Sequence, residues 1–170
     1  MEARVKLFGH PVHQMLIVLP LGLLSGAVIF DVVRLVAGGE QWSIVSYWLI
    51  AAGVLTGLLA ALFGLADWTK IPGGTRAKRV GSLHGIGNVV VVVLFTLSWF
   101  LRGGPDADPS GLALVLSFAG GGLSLVTGWL GGELVGRLSV GVDEGAHLDA
   151  PSSLSGRPAG SSVRGAAGRA

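Results

Sequence analysis

The chain has 170 residues, 51% of them hydrophobic and 13% charged, with 29 glycines and no cysteine. A soluble domain carries about 25% charged residues, so this chain cannot coat an ordinary water-facing surface. The missing cysteines exclude disulfides, thiolate metal sites, iron–sulfur clusters and cysteine nucleophiles. The pI of about 9.5 invites a nucleic-acid reading, but the net charge is only +2. The basic residues flank apolar runs without interleaved aromatics, as membrane topology signals do, so no nucleic-acid partner is expected.

Four uncharged runs occupy residues 14–30, 41–66, 80–101 and 109–132, of 17, 26, 22 and 24 residues. A membrane helix needs about 20 apolar residues. The last three qualify directly, and the first does if it continues through Asp31 to about Ala37. Helices are the only open segments that satisfy their own backbone in lipid. The expected fold is therefore all-α, an integral membrane four-helix bundle over residues 1–142, with spans at about 14–36, 43–66, 81–101 and 110–132. The first run has no small-residue cleavage site and is too long for a usual signal core, so it is read as part of the mature protein.

Lys and Arg set the orientation. The N-terminus (Arg4, Lys6), the second connection (Lys70, Arg76, Lys78, Arg79) and the C-terminal segment (Arg137, Arg157, Arg164, Arg169) hold 10 of the 12. All three lie on one side of a four-helix protein, which the positive-inside rule places in the cytoplasm, so both termini are expected there. Trp42, Tyr47, Trp48 and Trp99 fall where the opposite interface is expected. Phe8, Trp68 and Trp129 fall at the near one. Small residues recur at every fourth position, at Gly22/Gly26, Gly53/Gly57, Gly81/Gly85 and along Gly120, Ser124, Gly128 and Gly132. Such stripes let helices approach closely in lipid. Residues 143–170, rich in Ser, Gly, Ala, Pro and Arg, read as a flexible cytoplasmic tail.

Ionisable groups in or beside membrane spans are costly and become functional candidates by default. They are His10, His13, Asp31, Asp67, His84 and Glu133, with Asn88 as a polar companion. His10 and His13 open the first helix, Asp67 closes the second, His84 opens the third and Glu133 closes the fourth. All these belong to the cytoplasmic end, and only Asp31 belongs to the other. The order "histidine opens, carboxylate closes" occurs twice, over 54 residues (67−13) and 49 residues (133−84), which suggests a 2+2 pseudo-repeat.

Each candidate has a purely structural alternative. His10 and His13 could serve the helix start at Pro11. His84 and Asn88 could form a buried interhelical hydrogen bond. Asp67 could balance its basic neighbours, Glu133 could pair with Arg137, and Asp31 could pair with Arg34. Asp31 lies five turns from His13 on the same face, so Asp31 and Asn88 could instead mark a polar seam along the bundle. Asp143, Glu144, His147 and Asp149 read as solvated linker.

The segments GHPVHQMLIVLPLGLLSGAVIFD (9–31), AALFGLADWTKIPGGTRAKRVGSLHGIGN (60–88), TGWLGGELVGRL (127–138) and GVDEGAHLDAPSSL (141–154) resemble bacterial four-helix membrane proteins of the domain-of-unknown-function 2231 family. The resemblance implies a multi-pass bacterial inner-membrane protein, often encoded among redox or stress proteins. Some relatives carry a histidine near position 138 or 139 and are fused to Rieske-type domains. This chain has Leu138 and Ser139 there.

Three functions compete. The first is a cofactor site. A b-type haem would sit on His13 and His84, with Lys70, Arg76 or Lys78 meeting the propionates. A divalent metal would use His10, His13, His84, Asp67 and Glu133. The second is a non-catalytic assembly component held in the bilayer, with a homo-oligomer or a membrane redox partner. The third is proton or small-solute transport. No soluble-enzyme motif is present, so a non-enzymatic role is expected.

Overall fold

A computed structural model describes residues 1–161. The expectations for Arg164 and Arg169, and for the last nine residues of the tail, lie outside the described residues. A short antiparallel hairpin of β1 (Lys6–Leu7) and β2 (His10–Pro11) precedes five helices. These are α1 (Val12–Leu16), α2 (Val18–Ala37), α3 (Glu40–Lys70), α4 (Arg76–Phe100) and α5 (Gly111–Gly136). A 3-10 turn follows at Ser153–Ser155.

The seam between α1 and α2 has a covalent cause. Pro20 has no N–H to give the carbonyl four residues back, so the ladder is interrupted at Leu16. The turn still closes on either side, because Ile17 N–H donates to His13 and Leu21 N–H to Ile17, both at 3.1 Å. The two pieces form one apolar helix from Val12 to Ala37, and with α3, α4 and α5 make four helices long and apolar enough to cross a membrane. α4 starts five residues earlier than expected, at Arg76, because Thr75 caps it by accepting Lys78 N–H at 3.1 Å. Ser110 caps α5 in the same way, accepting Ala113 N–H at 3.2 Å. Each such cap is worth about 1 kcal/mol. Gly38 and Gly39, with φ of 70° and 98°, turn the chain from α2 into α3 in two residues, which few other residue types allow.

The helices pack as two hairpins, α2 with α3 and α4 with α5, closed into a ring through α3–α4 and α5–α2 contacts. Their buried residues are Leu24, Ala27 and Asp31 on α2, and Ser43, Ser46, Ile50, Gly53 and Ala60 on α3. They are Gly81, Val91, Phe95 and Ser98 on α4, and Ala113, Ser117, Gly120, Thr127 and Leu134 on α5. Neighbours in these sets are mostly three or four positions apart, the seven-residue repeat of left-handed helix packing. The interior is largely small or polar, while leucines, valines and tryptophans such as Leu62, Leu125 and Trp129 face outward. That arrangement suits lipid, where small residues and interhelical hydrogen bonds hold helices together.

The four-residue glycine stripes are therefore only partly at the contacts. A Cβ on Gly53 would lie 2.5 Å from Leu24 Cδ2, and one on Gly120 would lie 2.8 Å from the Phe95 ring. Gly22, Gly85, Gly128 and Gly132 have nothing within 4 Å of that point. A strict four-residue step drifts around the helix, and the contact face follows the three-and-four alternation instead.

The described part of the expected tail is bound to the N-terminal segment. The Met1 ammonium donates to Ser139 O (2.9 Å), and Gly141 N–H donates to Met1 O (2.9 Å). Lys6 Nζ pairs with Glu2 (2.9 Å) and Asp143 (2.5 Å). The Glu2 carboxyl is held below its ordinary range, first by the Lys6 hydrogen bond and then by Glu144 N–H. Lys6 is raised, chiefly by its hydrogen bonds to Asp143 and Glu2. Pairs this exposed contribute little individually, but together they gather the N-terminal segment and residues 139–144 at one end of the bundle.

Candidate functional site

The bundle holds two polar clusters, one towards each end. At the end near the chain termini, His13 on α1 places Nδ1 2.9 Å from the Ala60 carbonyl of α3. His84 on α4 places Nδ1 2.8 Å from the Thr127 carbonyl of α5. A carbonyl only accepts, so each Nδ1 carries a proton, and in the neutral imidazole Nε2 is then the nitrogen that holds the lone pair. Both rings lie over a glycine one turn beyond the carbonyl. A Cβ on Gly64 would be 2.8 Å from His13 Cε1, and one on Gly131 would be 3.1 Å from His84 Cε1.

Asn88, one turn after His84, has Nδ2 3.2 Å from His84 Nε2 and 3.0 Å from His84 O. The Thr127 hydroxyl donates to Asn88 Oδ1 at 3.0 Å. His84 and Asn88 thus do form an interhelical hydrogen-bond network, half-buried rather than buried, that links α4 to α5. His13 Nε2 has no hydrogen-bond partner among the described residues.

The other expected members of this cluster lie elsewhere. His10 belongs to strand β2 rather than a helix cap. It is exposed, with Nε2 3.4 Å from Ser153 Oγ. Asp67 accepts the Arg4 backbone N–H at 2.6 Å, so the N-terminal segment occupies it. Glu133 pairs across helices with Arg76 at 2.6 Å, not along α5 with Arg137. Lys78 lies over the Trp68 ring, 3.4 Å from its centroid, and donates to Trp68 O. Arg76 and Lys78 are therefore engaged away from the imidazoles. Among the described residues, no three or more of His, Cys, Asp and Glu gather closely enough to hold a metal ion. The five-residue metal set is not formed: His10 lies on the hairpin, Asp67 accepts the Arg4 N–H, and Glu133 turns to Arg76.

At the far end, Asp31 is fully buried and its partner is Arg102, not Arg34. Arg102 Nη1 donates to Asp31 Oδ1 (2.9 Å) and Nη2 to Oδ2 (2.6 Å), a bidentate pair. Ser46 Oγ donates to Asp31 Oδ1 (2.6 Å) and lies 2.6 Å from Nη1, while Ser117 Oγ donates to Oδ2 (2.8 Å). All four helices contribute to or adjoin this cluster. Arg34 instead pairs with Asp108 at the outer rim. Between the clusters lies an apolar layer of Leu24, Ala27, Ile50, Val91 and Phe95. Asp31 and Asn88 therefore belong to separate clusters and do not form a continuous seam.

The two halves of the chain repeat this geometry. His13 and His84, Leu24 and Phe95, and Asp31 and Arg102 are each offset by 71 residues (84−13, 95−24, 102−31). Their α3 and α5 partners, Gly53 and Gly120, Ala60 and Thr127, and Gly64 and Gly131, are offset by 67 (120−53, 127−60, 131−64). The imidazole–carbonyl and glycine contacts coincide under this shift. The pseudo-repeat thus pairs histidine with histidine but does not pair Asp67 with Glu133. The residue equivalent to Asp67 is Leu134.

A family model described as "Predicted membrane protein (DUF2231)" matches residues 9–144. The chain belongs to that family. The match covers the whole bundle, both histidines and the Asp31–Arg102 pair. No curated protein and no solved structure matches the chain. Within this DUF2231 member, Arg102, Ser46 and Ser117 are the polar residues that sequence reasoning passes over. Arg102 reads as a loop residue because it follows the third apolar run. The signal that exposes it is the seven-residue register Gly81, Asn88, Phe95, Arg102, which places it on the interior face.

Proposed function

We propose that this integral membrane protein uses His13 and His84 as a bis-imidazole site for a b-type haem. The observation that carries this reading is the pair of Nδ1–H bonds to main-chain carbonyls at 2.9 and 2.8 Å. Such a bond fixes the tautomer and ring orientation of a ligating imidazole and raises the basicity of Nε2. The donors are neutral nitrogens from non-consecutive helices, each seated on a glycine, and that set fits an axially ligated haem. A bound haem would supply one-electron chemistry. The chain's part is to hold each ring by its carbonyl and to release His84 Nε2 from Asn88 when a ligand takes it. Positive-inside charge supports both termini in the cytoplasm, and the family resemblance supports an inner bacterial membrane, where a membrane redox partner or a second copy would be the associate.

The assembly-component reading draws on a different observation. His84, Asn88 and Thr127 complete their hydrogen bonds among themselves, as interhelical glue does. The transport reading has less support, because the apolar layer separates the polar clusters.

The deciding experiment is a reduced-minus-oxidised optical spectrum, with elemental analysis, of protein extracted from its native membrane. The haem reading expects a Soret band lost in both His13→Ala and His84→Ala. A colourless, metal-free and fully stable preparation overturns the site and leaves the assembly component.

A further inference from the structure

Arg102 is 2% exposed, yet its hydrogen bonds are incomplete. A guanidinium offers five N–H donors in a fixed fork. Two from Nη1 and one from Nη2 engage Asp31 and Ser46. The Nε–H edge is buried and has no partner. Three more buried side-chain atoms share this condition: Trp99 Nε1, one turn earlier on α4, Ser43 Oγ, one turn before Ser46 on α3, and Arg34 Nε, in the rim pair with Asp108. Trp99 and Ser43 are each one turn from a residue of the Asp31–Arg102–Ser46 cluster, and the Tyr47–Trp99 ring contact brings their two helices together. An unsatisfied buried donor is costly.

The charges choose the ligand. Arg102 is neutralised by Asp31 and Arg34 by Asp108. An anion would enter a site whose formal charge is already balanced, and a cation would face the Arg102 and Trp99 N–H groups with only the Ser43 hydroxyl to accept it. We propose that Arg102 Nε, Trp99 Nε1 and Ser43 Oγ bind a neutral oxygen acceptor, either water held inside the bundle or the carbonyl of a small membrane-soluble compound such as a quinone. Buried water characteristically makes about three hydrogen bonds to groups of this kind. The inference is independent of the imidazole site, which lies on the other side of the apolar layer.

The test is ¹⁵N–¹H spectroscopy of the indole resonances in nanodiscs, with the Trp99 signal assigned by its disappearance in Trp99→Phe. Both Trp99→Phe and Ser43→Ala leave the Asp31–Arg102 pair intact. Cross-peaks from water to the Trp99 indole proton, weakened in Ser43→Ala, support the site with water as ligand. A saturable shift of that resonance on adding ubiquinone-1, absent for Trp42, Trp48, Trp68 and Trp129, supports it with a carbonyl compound. An indole resonance at the position of an unbonded N–H, with no water cross-peak and no response to the quinone, overturns it.

Discussion

Removing either charge of the Asp31–Arg102 pair should cost far more than removing both. The pair is 0% and 1% exposed, bidentate, and further bonded by Ser46 and Ser117. Replacing one partner leaves an ion in the interior with nothing to neutralise it, a loss of about 3–5 kcal/mol. Asp31→Leu strands the guanidinium and frees both serine hydroxyls. Arg102→Met strands the carboxylate, which keeps its two serine donors and so suffers the smaller loss. The double variant Asp31→Leu/Arg102→Met buries two apolar side chains instead, and replacements of that kind are often neutral or stabilising by about 1–4 kcal/mol. Independent losses would sum to about 6–10 kcal/mol, so the loss in the double variant should fall far below that sum. The assay is reversible unfolding of the purified protein in mixed micelles, reading each corner of the double-mutant cycle. Additive losses, or an Arg102→Met variant within about 0.5 kcal/mol of wild type, would show that the pair does not hold the bundle's far end together.

Three further outcomes follow from the packing and the termini. Gly53→Ala and Gly120→Ala each force a methyl into Leu24 or the Phe95 ring, so each should lose about 1–3 kcal/mol in the same unfolding assay. Gly128→Ala, which meets nothing, should change stability by less than about 0.5 kcal/mol. Thr75→Ala removes the α4 cap and should cost about 1 kcal/mol, with faster amide exchange confined to the first turn of α4. The Glu2–Lys6–Asp143 contacts should depend on pH in a set direction. The Glu2 carboxyl is lowered from 4.5 in the folded chain, so its contribution is present above that value and disappears as pH falls through the lower folded one. Lys6 is raised above 10.5, so its contribution is present below that value and disappears as pH rises through the folded one. Amide protection of residues 1–11, corrected for the intrinsic pH dependence of exchange, should fall at both extremes, and protection that stays constant on the acid side until the whole bundle unfolds would contradict the Glu2 contact.

The four helices are legible in the sequence because length and apolarity suffice to define them in lipid. The site is legible only in part. His13 and His84 stand out as the imidazoles within apolar runs, and both meet main-chain carbonyls of neighbouring helices. The carboxylates mislead because depth along a helix says nothing about direction around it. Glu133 lies two positions past Gly131, about 200° around an α-helix, and so faces Arg76 instead of the ring of His84. Asp67 does share the interior register of Ala60, but it lies where the backbone of Arg4 folds back over the bundle. Arg102 is hidden for a different reason. Its register is readable only when the interior is expected to be small and polar, and the large side chains that usually mark a core here face outward.

The 71-residue equivalence of Asp31 and Arg102 has a consequence for how the halves recognise each other. Two copies of the first hairpin would bring carboxylate against carboxylate in the buried interior. Two copies of the second would do the same with guanidinium groups. Only unlike halves fit, so a single difference at one repeated position makes each hairpin reject its own kind and accept its neighbour in the chain.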